Sequence, residues 1–339
     1  MNDTLELKQI PLSDADATWQ SELKHAYRSA SELRLALGLP PGDDRDYGFP
    51  ILAPRPYVSR ITKGDPTDPL LLQVLSNERE SDEQLGFSTD PLDERDANPR
   101  PGVVHKYQSR QLFIATGQCA VNCRYCFRRH FPYSDNRVSR AQWRDNIRQT
   151  ALNPSVNEII LSGGDPLLLN DDVLNELLNE VERHPSITRV RIHTRLPLVI
   201  PQRITDALIA TLSNRRFKVI VVWHINHPNE IDEAVKFAAL RLQQTGVTQL
   251  NQSVLLKSVN NAAVTLAELS ERLFSIHILP YYLHLLDRVA GAAHFLVSDR
   301  EAKLIYRELA EHLPGFLVPK LARETSGNYS KNTFGTDNL

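Results

Sequence analysis

The three cysteines of this chain lie within eight consecutive residues, as Cys119-Ala-Val-Asn-Cys123-Arg-Tyr-Cys126. Three thiolates can bind three irons of a 4Fe–4S cubane, whose irons are ordinarily held by four. The fourth iron is then left for a ligand that the protein does not supply. The CxxxCxxC spacing therefore predicts a redox cluster with an open coordination position, which is a reactive site.

Two other uses of the cysteines are weaker. A structural zinc site needs four ligands, usually from two separate pairs, and here His130 would have to be the fourth. Disulfides do not suit an odd number of cysteines, and the N-terminus MNDTLELKQI has no secretory signal. We therefore expect the iron–sulfur cluster, with a zinc site as the alternative.

Composition limits the class of protein. With 339 residues and 41% hydrophobic residues, the chain can form one large α/β domain with an appendage, or two medium domains. A net charge of −2 gives no electrostatic argument for nucleic acid or a membrane surface. No apolar run approaches the roughly twenty residues of a membrane-spanning helix. Free thiols without a signal peptide predict a cytoplasmic protein.

The first hundred residues differ in pattern from the rest. Residues 18–37 predict an amphipathic helix that ends at Gly38, and a short helix is expected at 69–77. The remainder up to Gly102 is rich in proline, glycine and acidic residues. This pattern indicates an irregular, partly helical extension that wraps on a larger unit.

From Gln111 onward, apolar runs of strand length alternate with helical segments. The predicted strands are 111–116, 158–163, 189–194, 219–224, 249–256 and 277–286. The predicted helices lie near 140–151, 171–183, 202–213, 229–245, 262–274 and 298–312. Six successive strand–helix units predict a parallel sheet buried on both faces, in a barrel or partial barrel, with a doubly wound sheet as the alternative.

Chemistry in parallel α/β folds collects at the carboxyl ends of the strands. The cysteine loop follows the first predicted strand, and the turn Ser162-Gly163-Gly164-Asp165 follows the second. Its paired glycines let backbone approach a ligand, their amides can bind an anion, and Asp165 could accept from an ammonium group.

Polar residues also occur within later strands. His224 ends the fourth, and Asn251, Gln252 and Ser253 interrupt the fifth, where a polar cofactor could satisfy buried amides. Polar side chains that alternate along a barrel strand point into the lumen. A polar cofactor in the lumen is therefore expected beside these strands.

Three charged residues suggest a substrate with two charged ends. Arg128, two residues after Cys126, has a fork suited to a carboxylate. Asp287 follows the sixth predicted strand, and Glu324 lies in the C-terminal segment. If both carboxylates point inward, they form an anionic pocket for a cationic end of the substrate.

From about His105 to Lys331 the chain resembles the radical S-adenosylmethionine enzymes, and more closely the lysine 2,3-aminomutases, which also use pyridoxal phosphate. The resemblance rests on the cysteine motif, the GGDP turn and the strings RIHTRLPLVIPQRIT (191–205), HINHPNEI (224–231) and NQSVLL (251–256). It implies a partial (β/α)6 TIM-like barrel over residues 103–313. Residues 1–102 would be the extension, and 314–339 a segment that carries the pyridoxal phosphate lysine.

Roles follow from the resemblance residue by residue. Cys119, Cys123 and Cys126 would hold the 4Fe–4S cluster; Ser162, Gly163, Gly164, Asp165, His224 and Gln252 would line the S-adenosylmethionine site; Lys106 and Arg110 would lie near pyridoxal phosphate; Arg128 would bind the lysine carboxylate; Asp287 and Glu324 would face its ε-ammonium; and Lys331 would be the catalytic lysine that holds pyridoxal phosphate. Lys320 is the alternative to Lys331. The larger aminomutases have Arg at the position of Lys106, Asp at that of Glu324, and a glycine-rich loop before the lysine, where this chain keeps Gly327.

The implied reaction moves the α-amino group of L-lysine to C3 and gives β-lysine. The segment GFSTDPLDE (86–94) and the string CRYCFRRHFPY (123–133) are similar to the bacterial branch that supplies β-lysine for modifying elongation factor P. Implied partners are free L-lysine, a flavodoxin- or ferredoxin-type electron donor, and a functional link to elongation factor P and its lysine-ligating enzyme. Alternatives are a 2,3-aminomutase for another amino acid or for protein-bound lysine, a radical maturase without pyridoxal phosphate, or an electron-transfer module.

Overall fold

The protein was analysed as a computed structural model, which describes residues 18–328 and 330–335. Over these residues nine strands form one sheet whose spatial order follows the chain from β1 to β9. The strands are Val103–Tyr107 (β1), Arg110–Thr116 (β2), Glu158–Gly163 (β3), Arg189–Thr194 (β4), Lys218–His224 (β5), Thr248–Leu255 (β6), Leu279–Leu285 (β7), Lys320–Arg323 (β8) and Asn332–Phe334 (β9).

Strands β2 to β8 pair in parallel, while β1 and β9 add antiparallel edges. The helices are Trp19–Lys24 (α1), Ala30–Ala36 (α2), Arg55–Val58 (α3), Arg140–Ala151 (α4), Asp171–Glu182 (α5), Leu196–Val199 (α6), Asp206–Leu212 (α7), Glu233–Gln243 (α8), Ala263–Ser275 (α9) and Asp299–His312 (α10). This arrangement confirms the predicted partial barrel of six strand–helix units, to which β8 adds one further parallel strand.

Alternation along the strands separates core from cavity. In β4, Val190 and Ile192 are fully buried, whereas Arg191 and His193 line the central cavity. Successive side chains of a strand point to opposite faces, so one face packs on the helices and the other is free for polar groups. The sheet thus positions chemistry without interrupting its apolar core.

The predicted helix over 18–37 is wrong as one element, because two helices form there. Between them the backbone of Tyr27 pairs with Ala53 through N–O distances of 2.9 and 3.0 Å. Ser29 then caps α2 by accepting from the amide of Glu32. The cross-chain pairing and the new cap interrupt a helical pattern that is continuous in the sequence.

The expected helix at 69–77 is also shorter than predicted, since only Leu71–Gln73 forms a single 3₁₀ turn. The Asp68 carboxylate accepts from the amides of Leu70 and Leu71, which fixes this turn locally. The extension nevertheless packs on the barrel: Trp19 and Leu33 share one buried cluster with Ile159 and Val221 of the sheet.

Candidate functional site

One cavity of about 590 Å³ lies at the carboxyl ends of the parallel strands. Its volume is in the range of small-molecule sites. The cavity brings together the residues to which the resemblance assigned roles: Lys106, Arg110, Cys119, Cys123, Cys126, Arg128, Ser162, Gly163, Gly164, Asp165, His224, Gln252, Asp287, Glu324 and Lys331. Their placement agrees with the sequence analysis, while their individual roles remain predictions.

The cysteine loop follows β2 and is held by the N-terminal extension. The amide of Asn122 donates to the carbonyl of Leu52, and the amide of Arg124 donates to that of Gln73, at 3.0 and 2.9 Å. A turn closes the loop where the amide of Cys126 donates to the carbonyl of Cys123. The extension therefore fixes the backbone that carries the thiols.

The buried thiols are hard to ionise unless a cation is bound to them. Burial raises the pKa of Cys126 to about 11, with Cys123 adding to the effect, and burial likewise raises the pKa of Cys119. Metal ligation needs the deprotonated form, and the positive charge of bound iron would stabilise these thiolates. Within the described residues, no three His, Cys, Asp or Glu side chains converge on a point that could hold one metal ion. A cubane requires no such convergence, because each thiolate binds a different iron.

Glycines are required where the turn after β3 meets the cysteine loop. Gly163 has φ +100°, a conformation that favours glycine. A Cβ on Gly164 would lie 2.1 Å from the carbonyl oxygen of Gln118. The amides of Gly164 and Asp165 donate to the carbonyls of Thr116 and Gln118, each at 2.7 Å. The Gly164 amide, one of the two glycine amides expected to bind an anion, is therefore used to attach the turn to the cysteine loop.

Asp165 has a similar structural use. Its Oδ1 accepts from Thr194 Oγ1 at 2.7 Å and from the Leu167 amide at 3.0 Å. Its Oδ2 accepts from the amides of Arg195 and Leu196 at 2.7 and 2.8 Å. The carboxylate thus joins the ends of β3 and β4, and these four bonds replace the ammonium partner that we expected.

The polar residues of β5 and β6 divide between the two faces of the sheet. His224 Nε2 lies 2.9 Å from the hydroxyl of Tyr125, and burial, helped by Arg195, lowers the pKa of His224 to about 3, so the ring is neutral. Gln252 faces the cavity. Asn251 instead donates to the carbonyl of Ile225 and accepts from its amide, so protein satisfies this buried side chain without a cofactor.

A chain of alternating charges crosses the cavity. Arg128 donates from Nε and Nη2 to the Glu94 carboxylate, at 2.6 and 2.8 Å. Lys106 Nζ lies between Glu94 and Glu324, at 3.0 and 2.8 Å. Glu324 also accepts from Lys331 Nζ at 2.8 Å. Five enclosed charges are therefore paired in series, which is how buried ions are stabilised.

The two predicted acidic residues differ in electrostatic state. Burial alone would raise the pKa of Glu324, but the ammonium groups of Lys331 and Lys106 outweigh it and hold that pKa well below its usual range. Burial, reinforced by the Glu324 charge, raises the pKa of Asp287 to about 7. Asp287 forms no ion pair with any described residue. Its carboxylate can therefore take a cation that enters the cavity.

Sequence reasoning assigned no role to Glu94, Tyr125 or Arg195, which line the same cavity. Glu94 belongs to the extension, and its segment carried no sign of a role beyond the resemblance. Arg195 ends the polar alternation of β4, which was a usable signal. His193 Nε2 in that strand has no hydrogen-bond partner among the described residues, so a polar ligand would fit beside it.

A partial barrel with three cysteines in the loop after its first parallel strand, facing the cavity, defines a radical S-adenosylmethionine protein. Consistent with this class, the Radical SAM superfamily profile matches residues 113–239. A protein named L-lysine 2,3-aminomutase from Haemophilus influenzae is 48% identical over 97% of this chain and 98% of its own length. Its namesake from Escherichia coli is 51% identical over 84% and 82%. That from Clostridium subterminale is 33% identical over 94% and 78%.

The chain belongs to the L-lysine 2,3-aminomutase family, and it is an enzyme of the radical S-adenosylmethionine class. The 4Fe–4S cluster and S-adenosylmethionine are the cofactors of that class, and the three thiols fit the cluster. No helix in residues 18–328 or 330–335 is long and apolar enough to cross a membrane.

Replacing Gly164 tests the contact that holds the cysteine loop. Gly164→Ala should displace the loop, because the new Cβ would meet backbone at 2.1 Å. We expect the purified variant to bind several-fold less iron after anaerobic reconstitution, as measured by iron and sulfide analysis. Gly315→Ala is the matched control, since nothing lies within 4 Å of its added Cβ. Full iron content in Gly164→Ala would contradict this account.

Proposed function

We propose that this enzyme moves the α-amino group of L-lysine to C3 and releases β-lysine, with pyridoxal phosphate as a third cofactor. The observation that carries the proposal is the position of Lys331, whose Nζ lies in the cavity of the three cysteines and contacts Glu324 at 2.8 Å. When bound, the cluster with S-adenosylmethionine supplies a radical, and pyridoxal phosphate supplies a π-system that stabilises the migrating nitrogen.

The charges of the cavity suit a molecule with a carboxylate at one end and an ammonium at the other. Arg128 holds Glu94 with Nε and Nη2, and its Nη1 contacts Ser162 Oγ at 3.1 Å, so this terminal nitrogen faces the site. Asp287, without an ion-pair partner among the described residues, and Glu324 favour an ammonium. This pattern supports lysine over glutamate, which would need a cation or amide at that end.

Lys331 and Lys320 differ in their surroundings. Lys331 Nζ lies 5.7 Å from the centre of the Tyr282 ring and is partly enclosed. Lys106 and Arg110 provide cations in the same cavity, which suits a phosphate group. Lys320 is exposed on β8 and lies outside the residues that line the cavity. These contacts support Lys331 as the residue that holds pyridoxal phosphate.

Sequence similarity supports a cellular role for the product. The segments 86–94 and 123–133 resemble the branch that supplies β-lysine for modifying elongation factor P. We infer that the enzyme acts in the cytoplasm, takes electrons from a flavodoxin- or ferredoxin-type donor, and passes β-lysine to the enzyme that attaches it to elongation factor P.

The lysines provide the direct test. Under anaerobic reduction with S-adenosylmethionine and pyridoxal phosphate, the enzyme should convert free L-lysine to β-lysine, detected by mass spectrometry. Lys331→Ala should lower the rate by at least about 100-fold, because covalent catalysis needs this amine. It should also remove the visible absorbance of bound pyridoxal phosphate.

Lys320→Ala is the matched control, since it removes a lysine from the adjacent strand without altering the cavity. Full absorbance in Lys331→Ala with loss in Lys320→Ala would reverse the assignment. Elongation factor P carrying a lysyl group should be tested beside free lysine. Conversion of the protein-bound form alone would overturn the proposed substrate.

Asp287 predicts a pH dependence. Its carboxyl is ionised above a pKa of about 7 and neutral below it, so attraction for the ε-ammonium is lost as pH falls. We expect kcat/KM for lysine to decrease through that range, because this ratio reports the free enzyme. Asp287→Asn should lower kcat/KM at pH 8 by about 10- to 100-fold, since a hydrogen bond to a charged group contributes about 1.5–3 kcal/mol.

In Asp287→Asn, the decrease of kcat/KM at acidic pH that is due to Asp287 should also disappear. Asp206→Asn is a suitable control, because it removes an exposed carboxylate from the start of α7. An unchanged acidic limb in Asp287→Asn would show that another group controls lysine binding.

A further inference from the structure

Arg195 places a buried cation against one of the three cysteines. Its Nη1 donates to Cys123 Sγ at 2.7 Å, and only 6% of its side chain is exposed. No residue role in the proposed reaction uses this contact. Cys123 is one of the three cysteines assigned to the cluster. The guanidinium can therefore act on the cluster through this ligand.

The guanidinium is held by groups from separate parts of the chain. Its Nη2 donates to Gln73 Oε1 at 2.7 Å and to the fully buried Glu230 carboxylate at 2.5 Å. The backbone amide of Arg195 donates to Asp165 at 2.7 Å. The ring of Tyr57 lies 5.4 Å from the guanidinium carbon. These contacts leave Nη1 aimed at the sulfur.

The Glu230 carboxylate is itself fixed, and this determines which guanidinium nitrogen faces the cysteine. Its Oε2 accepts from the amides of Asn226 and His227, at 2.6 and 3.1 Å. Glu230 bonds to Nη2, whereas the sulfur bonds to Nη1, so the donor faces the cysteine and the counter-ion lies behind it. The sulfur therefore receives a charge-assisted hydrogen bond in a buried setting, where such a bond is strong.

Hydrogen bonds to cluster sulfurs and nearby charge set the reduction potential of iron–sulfur clusters. Reduction adds an electron whose charge is shared with the sulfurs, so a donor and a cation at the sulfur stabilise the reduced state. We propose that Arg195, acting through Cys123 as a positioning residue, raises the reduction potential of the cluster and so eases the entry of the electron. This rests on the cluster assignment and is independent of the substrate.

The test is a potentiometric titration of the anaerobically reconstituted full-length chain, followed by electron paramagnetic resonance of the reduced cluster. Arg195→Met removes the donor but leaves Glu230 as an unpaired charge. The double variant Arg195→Met with Glu230→Gln removes both charges and isolates the hydrogen bond. We expect both variants to shift the midpoint to more negative potential, with Arg195→Lys between them and the unaltered protein.

Arg203→Met is the matched control. Arg203 is another buried arginine, but it donates to Leu167, Leu169 and Asp171 and contacts no cysteine in the described structure. Its substitution should leave the midpoint unchanged at equal iron content. A double variant with the unaltered midpoint would show that any shift in Arg195→Met came from the unpaired Glu230, and would overturn the proposal.

Loss of the cluster from every Arg195 variant would assign the residue to cluster assembly instead, and would equally overturn a role in tuning. Because the titration contains no lysine and no pyridoxal phosphate, it can fail while the aminomutase proposal stands. Equally, absence of β-lysine formation would leave the potential measurement valid.

Discussion

The close approach of Gly164 to the backbone of Gln118 allows only glycine at position 164. A Cβ there would lie 2.1 Å from the carbonyl oxygen of Gln118. Two hydrogen bonds of 2.7 Å, donated by the amides of Gly164 and Asp165, join the same two backbone segments. The cysteine loop is thereby attached to the end of β3. The Asp165 carboxylate in turn connects the end of β3 to the end of β4. The position of the thiols relative to the rest of the cavity depends on this contact, because the loop itself has no regular secondary structure.

Electrostatic pairing imposes a second constraint. Removing one member of a buried charge series leaves its neighbour uncompensated, at a cost of about 3–5 kcal/mol. Lys106, between Glu94 and Glu324, is the central member, so Arg128 and Lys331 are held at the two ends of one series. Asp287 lies outside it, and burial together with the nearby Glu324 charge raises its pKa to about 7. Beside the paired series, the cavity thus contains an acidic group, Asp287, that has no ion-pair partner among the described residues.

Much of this could be predicted from the sequence where the physics is local. The strands at 158–163 and 189–194 and the helix at 140–151 agree with the structure at both ends. Their signals are local: a continuous apolar run in β3, alternation in β4, and the Ser139 cap directly before α4. The predictions for 18–37 and 69–77 were wrong because contacts distant in sequence interrupt the helical pattern: Tyr27 pairs with Ala53, and the Gln73 carbonyl accepts from the Arg124 amide. The use of Asp165 was missed for the same reason, since its partners lie about thirty residues away.

Composition does not disclose the role of the extension. Its proline, glycine and acidic content predicts an irregular segment that wraps on a larger unit, and the boundary predicted at 102 falls immediately before β1. Yet Gln73 contacts Arg195, Glu94 contacts Arg128, and Glu80 forms a buried ion pair with Arg129 beside the cysteines. A segment that lacks regular structure can position a site well when its polar side chains are buried and fully paired, because each bond fixes a direction. The irregular extension therefore belongs to the site as the strands do. Without it the cysteine loop would lose its contacts with Leu52 and Gln73, Arg128 would lose Glu94, and Arg195 would lose Gln73.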